Sequence, residues 1–322
     1  MIHRIPSGTR DVLPDEMREL RAMTDRMRAV FERAGYGEIY TPVLEYEGTF
    51  ERANLAAPRP AYRMFDEDGQ VLVLRSDMTV PIARLVSTRY QAATPPLRFS
   101  YIAYAYRGVR PQRGHSRELL QAGVELIGAP GAVGTAEALT VLCHALDAAG
   151  LKTYRVGLGD ASLYPALLQA VGVEAEQRER ILSELVTGDF VGVERELESL
   201  HLAQDERELL LRVPRTRGGP EVLEGLSGAL HAAGTGMRAV QALLPGPVAE
   251  RIIFDFGLVR SLGYYTGAVF QVYDPAYGVP IGSGGRYDDL LGRFGRPLPA
   301  VGFALNVERV HIALTGEERG LA

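Results

Sequence analysis

The arrangement of predicted strands is the feature that most constrains the fold of this chain of 322 residues. Segments 97–106 and 118–127 read as two strands, separated by a turn-rich stretch from Gly108 to Ser116. Strand-turn-strand units of this kind, rather than a regular alternation of strands and helices, favour an antiparallel sheet over a doubly wound parallel one. We therefore expect an α+β fold, with a largely antiparallel sheet flanked by helices.

Other segments supply the remaining strands and the flanking helices. The first helix begins near Pro14, where a first-turn proline is favoured, and ends at Gly35. Segment 37–46 reads as an edge or interface strand that is broken by Pro42. Further strands are predicted at 71–75, 153–158, 252–256, 268–273 and 301–307, and a further helix at 133–149.

A change in composition divides the chain. Residues 161–250 are rich in Glu, Arg, Leu and Ala with helical periodicity, which predicts a small, mostly helical insertion. Residues 1–160 and 251–312 then form the core, and residues 313–322 form a short tail. A chain of this length is expected to bury one large or two smaller apolar cores.

Charge and composition exclude several classes of function. The net charge is −5, so no sequence-wide positive field attracts nucleic acid. Cys143 is the one cysteine and there is no Cys/His metal spacing, so we expect a buried thiol, no disulfide, no metal and no cofactor. No segment approaches ~18 apolar residues and no signal peptide is recognisable, which predicts a cytoplasmic protein without a membrane segment.

The second strand of the hairpin carries two polar side chains that could bind a ligand. Gln121, Gly123 and Glu125 are two residues apart and therefore share one face of an extended strand. Glycine between two polar groups leaves room for a ligand. The alternative is that Gln121 and Glu125 lie on the solvent face of an edge hairpin.

Two further polar residues follow the apolar strand at 71–74. Asp77 and Thr79 can share a face and contribute to the same site. Asp77 could instead be the N-cap of a helix that begins with Met78, Val80 and Ile82.

Arginine and glycine clusters supply two weaker signals. The arginines between the hairpin strands suit a phosphate or carboxylate, or they form a solvated surface; they are Arg107, Arg110, Arg113 and Arg117. The run Gly282, Gly284 and Gly285 allows a backbone to approach a ligand closely, or it makes a tight turn.

A pair of tyrosines near Arg260 completes the candidate residues. Tyr264 and Tyr265 lie at a glycine-flanked bend, and phenol groups beside an arginine can line a pocket for an aromatic ligand that forms hydrogen bonds. The alternative for one of the two tyrosines is packing in the core.

The order of these motifs along the chain resembles the catalytic core of the histidyl-tRNA synthetases. The resemblance implies the class II aminoacyl-tRNA synthetase fold, with a six- or seven-stranded antiparallel sheet and a homodimer built around Tyr40–Glu45. It rests on residues 7–15 (SGTRDVLPD), 40–45 (YTPVLE), 75–79 (RSDMT), 106–128, 258–270 and 282–309.

Carried over residue by residue, the resemblance implies a histidine-binding site. Carboxylates and a hydroxyl suit the α-ammonium group, a tyrosine or carboxylate suits the imidazole, and an arginine suits the carboxylate. The residues implied are Asp77, Thr79, Arg107, Gln121, Glu125, Arg260, Tyr264 and Tyr265.

Departures from the synthetase pattern fall in the half of the site that binds ATP. Val109 replaces a glutamate of the second motif, Gly263 replaces an acid, and Asn306 replaces a glycine beside the adenine site. An anticodon-binding domain is not expected in the residues after 312. The chain therefore resembles the regulatory subunits of ATP phosphoribosyltransferase, which are paralogues of the synthetase.

That resemblance implies a non-catalytic protein that senses L-histidine in the first step of histidine biosynthesis. It implies the short-form catalytic subunit as partner, a homodimer or dimer of dimers, a hetero-octameric complex, and no tRNA. Two alternatives stay open. One is a shortened histidyl-tRNA synthetase that activates histidine with ATP through Arg107, Arg260 and Arg309. The other is an amino-acid sensor for a different partner.

Overall fold

A computed structural model describes residues 5–53, 61–108, 116–258 and 264–321. Within these ranges nine strands form one sheet in the order β1-β5-β6-β12-β11-β10-β7-β9-β8, and three form a second sheet in the order β2-β4-β3. The strands are β1 Gly37–Glu38, β2 Leu44–Tyr46, β3 Arg63–Phe65, β4 Val71–Leu74, β5 Leu97–Tyr106, β6 Glu118–Ile127, β7 Arg155–Asp160, β8 Arg217–Gly218, β9 Ile252–Asp255, β10 Ala268–Asp274, β11 Tyr277–Arg286 and β12 Ala300–Asn306.

Twelve α-helices are present in the described ranges and flank the sheets. The helices are α1 Pro14–Arg33, α2 Glu47–Arg52, α3 Thr79–Arg89, α4 Gly131–Ala149, α5 Leu163–Ala170, α6 Ala175–Thr187, α7 Phe190–Glu198, α8 Gln204–Arg212, α9 His231–Leu243, α10 Gly246–Ala249, α11 Leu290–Arg293 and α12 Val307–Glu318. Short 3₁₀ turns lie at Val213–Arg215, Pro220–Leu223 and Gly228–Leu230. The prediction of an α+β fold is confirmed.

The hairpin of β5 and β6 forms as the sequence predicts. The two strands pair antiparallel over their whole length, from Leu97 opposite Ile127 to Tyr106 opposite Glu118. On its other side β6 pairs with β12, so β6 is an interior strand of the sheet. Most neighbours in the large sheet are antiparallel; β1–β5 and β7–β9 are parallel. The described sheet thus has more strands than the six or seven implied by the resemblance.

One long strand, β11, contradicts the expectation of a turn at the glycine run. Gly282, Gly284 and Gly285 lie inside β11 and pair with both β10 and β12. A Cβ atom on Gly284 would lie 2.5 Å from the Phe270 ring, so the glycines let neighbouring groups pack against the strand. Their role is close packing within a sheet.

Segment 37–46 also differs from a single broken strand. Pro42 separates β1, at the edge of the large sheet, from β2, in the small sheet. The edge position of β1 agrees with the prediction of an edge strand in this segment.

Apolar residues fill both faces of the large sheet. On one face Leu120, Ala122, Val124 and Leu126 of β6 belong to a core that includes α1, α4 and side chains from the helices between residues 161 and 250. On the other face a smaller core combines α3, α11 and alternate residues of β5. Cys143 is buried in the larger core, as expected, and burial raises the pKa of its thiol to about 12.

A buried arginine joins the two sheets. Arg75 follows β4 and is 2% exposed. Its Nη1 donates to the carbonyl oxygen of Thr41 at 2.6 Å, and its Nε donates to the carbonyl oxygen of Tyr104 at 2.8 Å. The guanidinium group therefore ties the segment before β2 to the end of β5.

Replacing this arginine should destabilise the fold. We expect Arg75→Met to lower the free energy of unfolding by about 3 kcal/mol, because several buried carbonyl oxygens lose their donor. Arg89→Met, in the exposed last turn of α3, should change it by less than about 0.5 kcal/mol. Urea unfolding followed by circular dichroism measures both. Equal stability of the two variants would contradict the structural role of Arg75.

Candidate functional site

Seven of the eight predicted site residues line one cleft on the α3 side of the large sheet. They are Asp77, Thr79, Arg107, Gln121, Glu125, Tyr264 and Tyr265. The cleft contains about 460 Å³ of empty space, part of which is open solvent. The eighth residue, Arg260, lies outside the described residues, as do Val109, Arg110, Arg113 and Gly263.

Strand β6 contributes the two polar residues at the floor of the cleft. Gln121 and Glu125 face the α3 side, while their neighbours along the strand enter the larger core. Gln121 is 8% exposed and Glu125 is 1% exposed. The alternative of a solvent-facing edge hairpin is therefore wrong, because β6 pairs with β5 on one side and β12 on the other, and both side chains are buried.

Glu125 is held by two hydroxyl groups from distant parts of the chain. Thr79 donates to Oε1 at 2.7 Å and Tyr287 donates to Oε2. Burial raises the pKa of the Glu125 carboxyl group to about 7; the two hydrogen bonds oppose the rise, and the charge of Asp77 adds to it. A buried carboxyl group that titrates near neutrality is a frequent property of functional sites.

Two glycines shape the floor around Glu125. Gly302 of β12 lies opposite Glu125, and a Cβ atom there would overlap Oε2 of the carboxylate. A Cβ atom on Gly123 would lie 2.5 Å from the Tyr101 hydroxyl oxygen. The space beside Gly123 is thus filled by Tyr101, which corrects the expectation that this glycine leaves room for a ligand.

Both alternatives for Asp77 describe part of its role. Its Oδ1 accepts a hydrogen bond of 3.0 Å from the Val80 backbone N–H in the first turn of α3, as a capping residue does. Asp77 also lines the cleft and is 7% exposed. Thr79 reaches the cleft as the first residue of α3, so the two side chains converge there without sharing a strand face.

Three tyrosines form an aromatic wall. The Tyr264 ring packs edge-on against Tyr265 at 5.1 Å and against Tyr287 at 5.7 Å between ring centroids. Tyr264 is buried among apolar residues as well as lining the cleft, so pocket and core packing both apply to it. Gly285 admits the Tyr265 ring, because a Cβ atom there would lie 2.7 Å from it.

The cleft offers acceptors and a cation in a small space. Two carboxyl groups, Asp77 and Glu125, share it with the guanidinium group of Arg107. The Gln121 Oε1 atom is buried and accepts no hydrogen bond from the described residues. Buried polar groups are normally paired, so this oxygen is a natural partner for a donor on a ligand. The set suits a small zwitterion with a second nitrogen-containing group.

Sequence reasoning missed several residues that line the cleft. Tyr101 and Tyr287 are the most important, since Tyr287 binds Glu125 and Tyr101 fills the space beside Gly123. Tyr287 directly follows the glycine-rich strand. Its position next to the glycine run is a feature of the sequence from which it could have been predicted as a site residue. The others missed are Met78, Ser283, Gly302, Phe303 and Ala304.

Arg309 lies in a different cleft. Its Nη1 donates to the carbonyl oxygen of Pro280 at 2.8 Å. Its backbone N–H donates to Asn306 Oδ1, which caps α12. Thr9, Arg10 and Ser116 line this second cleft as well.

Metal-ligand clusters and membrane-spanning helices are two patterns that the described ranges do not contain. No group of three or more His, Cys, Asp or Glu residues there is arranged to hold a metal ion. Among the helices of the same ranges, none is long and apolar enough to cross a membrane.

Comparison with known proteins identifies relatives over nearly the whole chain. The histidyl-tRNA synthetase family model matches residues 8–310. An ATP phosphoribosyltransferase regulatory subunit from Moorella thermoacetica is 39% identical over 317 residues, covering 96% of this chain and 82% of the relative.

Two solved structures share the fold. One, described as an ATP phosphoribosyltransferase regulatory subunit/histidyl-tRNA synthetase from Bacillus halodurans, has a TM-score of 0.89 and 33% identity and covers 98% of this chain and 84% of that one. A histidine–tRNA ligase subunit from Alicyclobacillus acidocaldarius has a TM-score of 0.81 and 32% identity and covers 99% of both chains.

Proposed function

This chain belongs to the histidyl-tRNA synthetase-like family of ATP phosphoribosyltransferase regulatory subunits, and from that premise we propose that it is a non-catalytic histidine sensor. It activates a short-form ATP phosphoribosyltransferase catalytic chain in the cytoplasm and makes that chain sensitive to feedback inhibition by L-histidine. Catalysis lies in the partner chain. The proposed effector is histidine alone, with no cofactor and no tRNA.

The convergence of the cleft residues supports this proposal most directly. Segments far apart in sequence bring Asp77, Gln121 and Glu125 together under a wall of tyrosines. Two acids share this buried cleft with one guanidinium group, so a ligand that carries a positive charge would balance the second acid. An α-ammonium group carries such a charge and an imidazole ring can carry one, and Arg107 suits the α-carboxylate.

Inhibition requires that histidine bind one arrangement of the complex more tightly than another, because a ligand shifts an equilibrium only by its differential affinity. The shortened-synthetase alternative needs a triphosphate site in addition. Arg309, which that alternative would use to bind phosphate, donates to the carbonyl oxygen of Pro280 and lines the second cleft.

Reconstitution tests the proposal. The protein is mixed with a short-form catalytic chain from the same organism, and activity is followed with and without histidine. Activation on mixing that histidine reverses is the expected result. Absence of both a complex and activation, together with histidine-dependent exchange of pyrophosphate into ATP, would establish the synthetase alternative instead. Histidine binding without a complex would point to a sensor for another partner.

The small sheet offers a surface for the proposed homodimer. Leu44 and Tyr46 of β2 point to the same face as Leu72, Leu74 and Met64, as their cross-strand pairing shows. Leu44 is 42% exposed and Tyr46 is 53% exposed. An exposed apolar face of this kind is a frequent feature of subunit interfaces.

A charge on this face should break the dimer. We expect Tyr46→Asp to convert the protein to monomers, because a carboxylate at an apolar interface loses its hydration without gaining a partner. Phe65→Asp is the matched control: Phe65 is 75% exposed but pairs with Val71 on the opposite face. Sedimentation velocity measures both variants. A dimeric Tyr46→Asp protein would place the interface elsewhere.

A further inference from the structure

Glu125 is the least exposed acid in the cleft. It is 1% exposed, compared with 7% for Asp77. Its two oxygens accept hydrogen bonds from the Thr79 and Tyr287 hydroxyl groups. A hydroxyl group can donate to a carboxylate or accept from a protonated carboxyl group, so these partners suit both states. About four lone-pair positions exist on a carboxylate, which leaves room for a ligand atom as well.

We propose, on the premise of the function above, that the cleft binds histidine together with one proton shared between the Glu125 carboxyl group and the imidazole ring of the ligand. An ionised carboxylate beside imidazolium and a neutral acid beside neutral imidazole contain the same number of protons and no net charge. Loss of this proton leaves a buried negative charge, and a second proton leaves a buried positive charge. Both are unfavourable where water is excluded.

The other titratable groups around the cleft limit what else can supply this proton. Asp77 faces Glu125 from the segment before α3, and Arg107 faces the cleft from the end of β5. Tyr101 and Tyr287 have pKa values well above their usual range because they are buried, so both stay neutral near pH 7. Tyr264 and Tyr265 complete the wall. Glu125, with a pKa of about 7, is the group that titrates alongside the ligand ring.

This arrangement predicts that histidine binding takes up a proton above neutral pH and releases a proton below it. An imidazole titrates near pH 6.5, so at about pH 8.5 the separated protein and ligand both lack the proton, and binding takes up about one proton. At about pH 5.5 both carry one, and binding releases about one proton. Affinity is therefore highest near neutral pH and falls on either side.

Calorimetric titration with histidine, in pairs of buffers of different ionisation enthalpy, counts these protons. We expect uptake at about pH 8.5, release at about pH 5.5 and no exchange between them. A histidine analogue with a triazole ring, which stays neutral over this range, should show uptake at high pH and no release at low pH. Glu125→Gln, if it binds, should show no uptake at high pH.

Histidine binding with the same affinity and no proton exchange at every pH would overturn the shared proton while leaving the proposed function intact. The same uptake in Glu125→Gln as in the wild-type protein would also overturn it, because another group would then hold the proton. Absence of histidine binding at any pH would overturn the proposed function and this inference together.

Discussion

Glu125→Ala should abolish the inhibition of the reconstituted complex by histidine while leaving the complex itself intact. We expect the affinity for histidine to fall about 100-fold or more, because truncating one partner of a buried charged hydrogen bond costs about 2–5 kcal/mol. Assembly should be unaffected, since Glu125 is 1% exposed and presents almost no surface to a partner. Inhibition curves and calorimetric titration measure the first effect, and size-exclusion chromatography with the catalytic chain measures the second.

Glu179→Ala is the matched control for this prediction. Glu179 lies on the exposed side of α6, far in sequence from the cleft residues, and its removal should leave both histidine inhibition and assembly unchanged. If Glu125→Ala fails to assemble, or if it is still inhibited at wild-type concentrations of histidine, the placement of Glu125 in the sensor site is wrong.

Gly302→Ala should damage both the fold and the site. The added methyl group would overlap Glu125 Oε2 and lie 2.6 Å from the Val124 carbonyl oxygen. The carboxylate could rotate away, but the carbonyl belongs to the β6 backbone and cannot move without disturbing the pairing of β6 with β12. We expect a loss of about 3 kcal/mol in the free energy of unfolding, at the upper end of overpacking effects, and loss of measurable histidine binding.

Gly236→Ala provides the comparison. Gly236 lies in α9, and a Cβ atom there has no heavy atom within 4 Å. Alanine is favoured over glycine in a helix by about 1 kcal/mol, so this variant should be as stable as the wild type or slightly more stable. Thermal unfolding with and without histidine distinguishes the two glycines. Wild-type stability and histidine binding in Gly302→Ala would show that the backbone around Glu125 is more adaptable than its packing indicates.

Helices and strands could be predicted from the sequence where their own residues carry the pattern. The bounds of β5 and β6 agree with the prediction, and α1 begins at Pro14. Strand β11 was missed because glycine has a low intrinsic preference for strands. Its strand conformation depends on neighbours that are distant in sequence, such as Phe270 and the Gly302 carbonyl oxygen. The local sequence around residues 277–286 does not contain this information, because it depends on tertiary contacts.

In the candidate site, too, local spacing could be predicted from the sequence and tertiary contacts could not. Gln121 and Glu125 could be placed on one face from their spacing alone. Their burial could not, because it depends on β12 completing the sheet beside β6. The hydrogen bond from Tyr287 to Glu125 joins residues 162 positions apart, and no local pattern signals it. The roles of the seven cleft residues in binding histidine stay a prediction, as does the division of the chain at residues 161–250.

The glycines that let Glu125, Tyr101 and Tyr265 pack onto bare backbone have a consequence for protein engineering. They fix the floor of the cleft by main-chain geometry, so a library that varies Gly123, Gly285 or Gly302 would yield mostly misfolded members. Attempts to retune the sensor toward another amino acid should leave those positions constant. Useful diversity is to be sought in side chains that project into the cleft, such as Gln121 and Ser283.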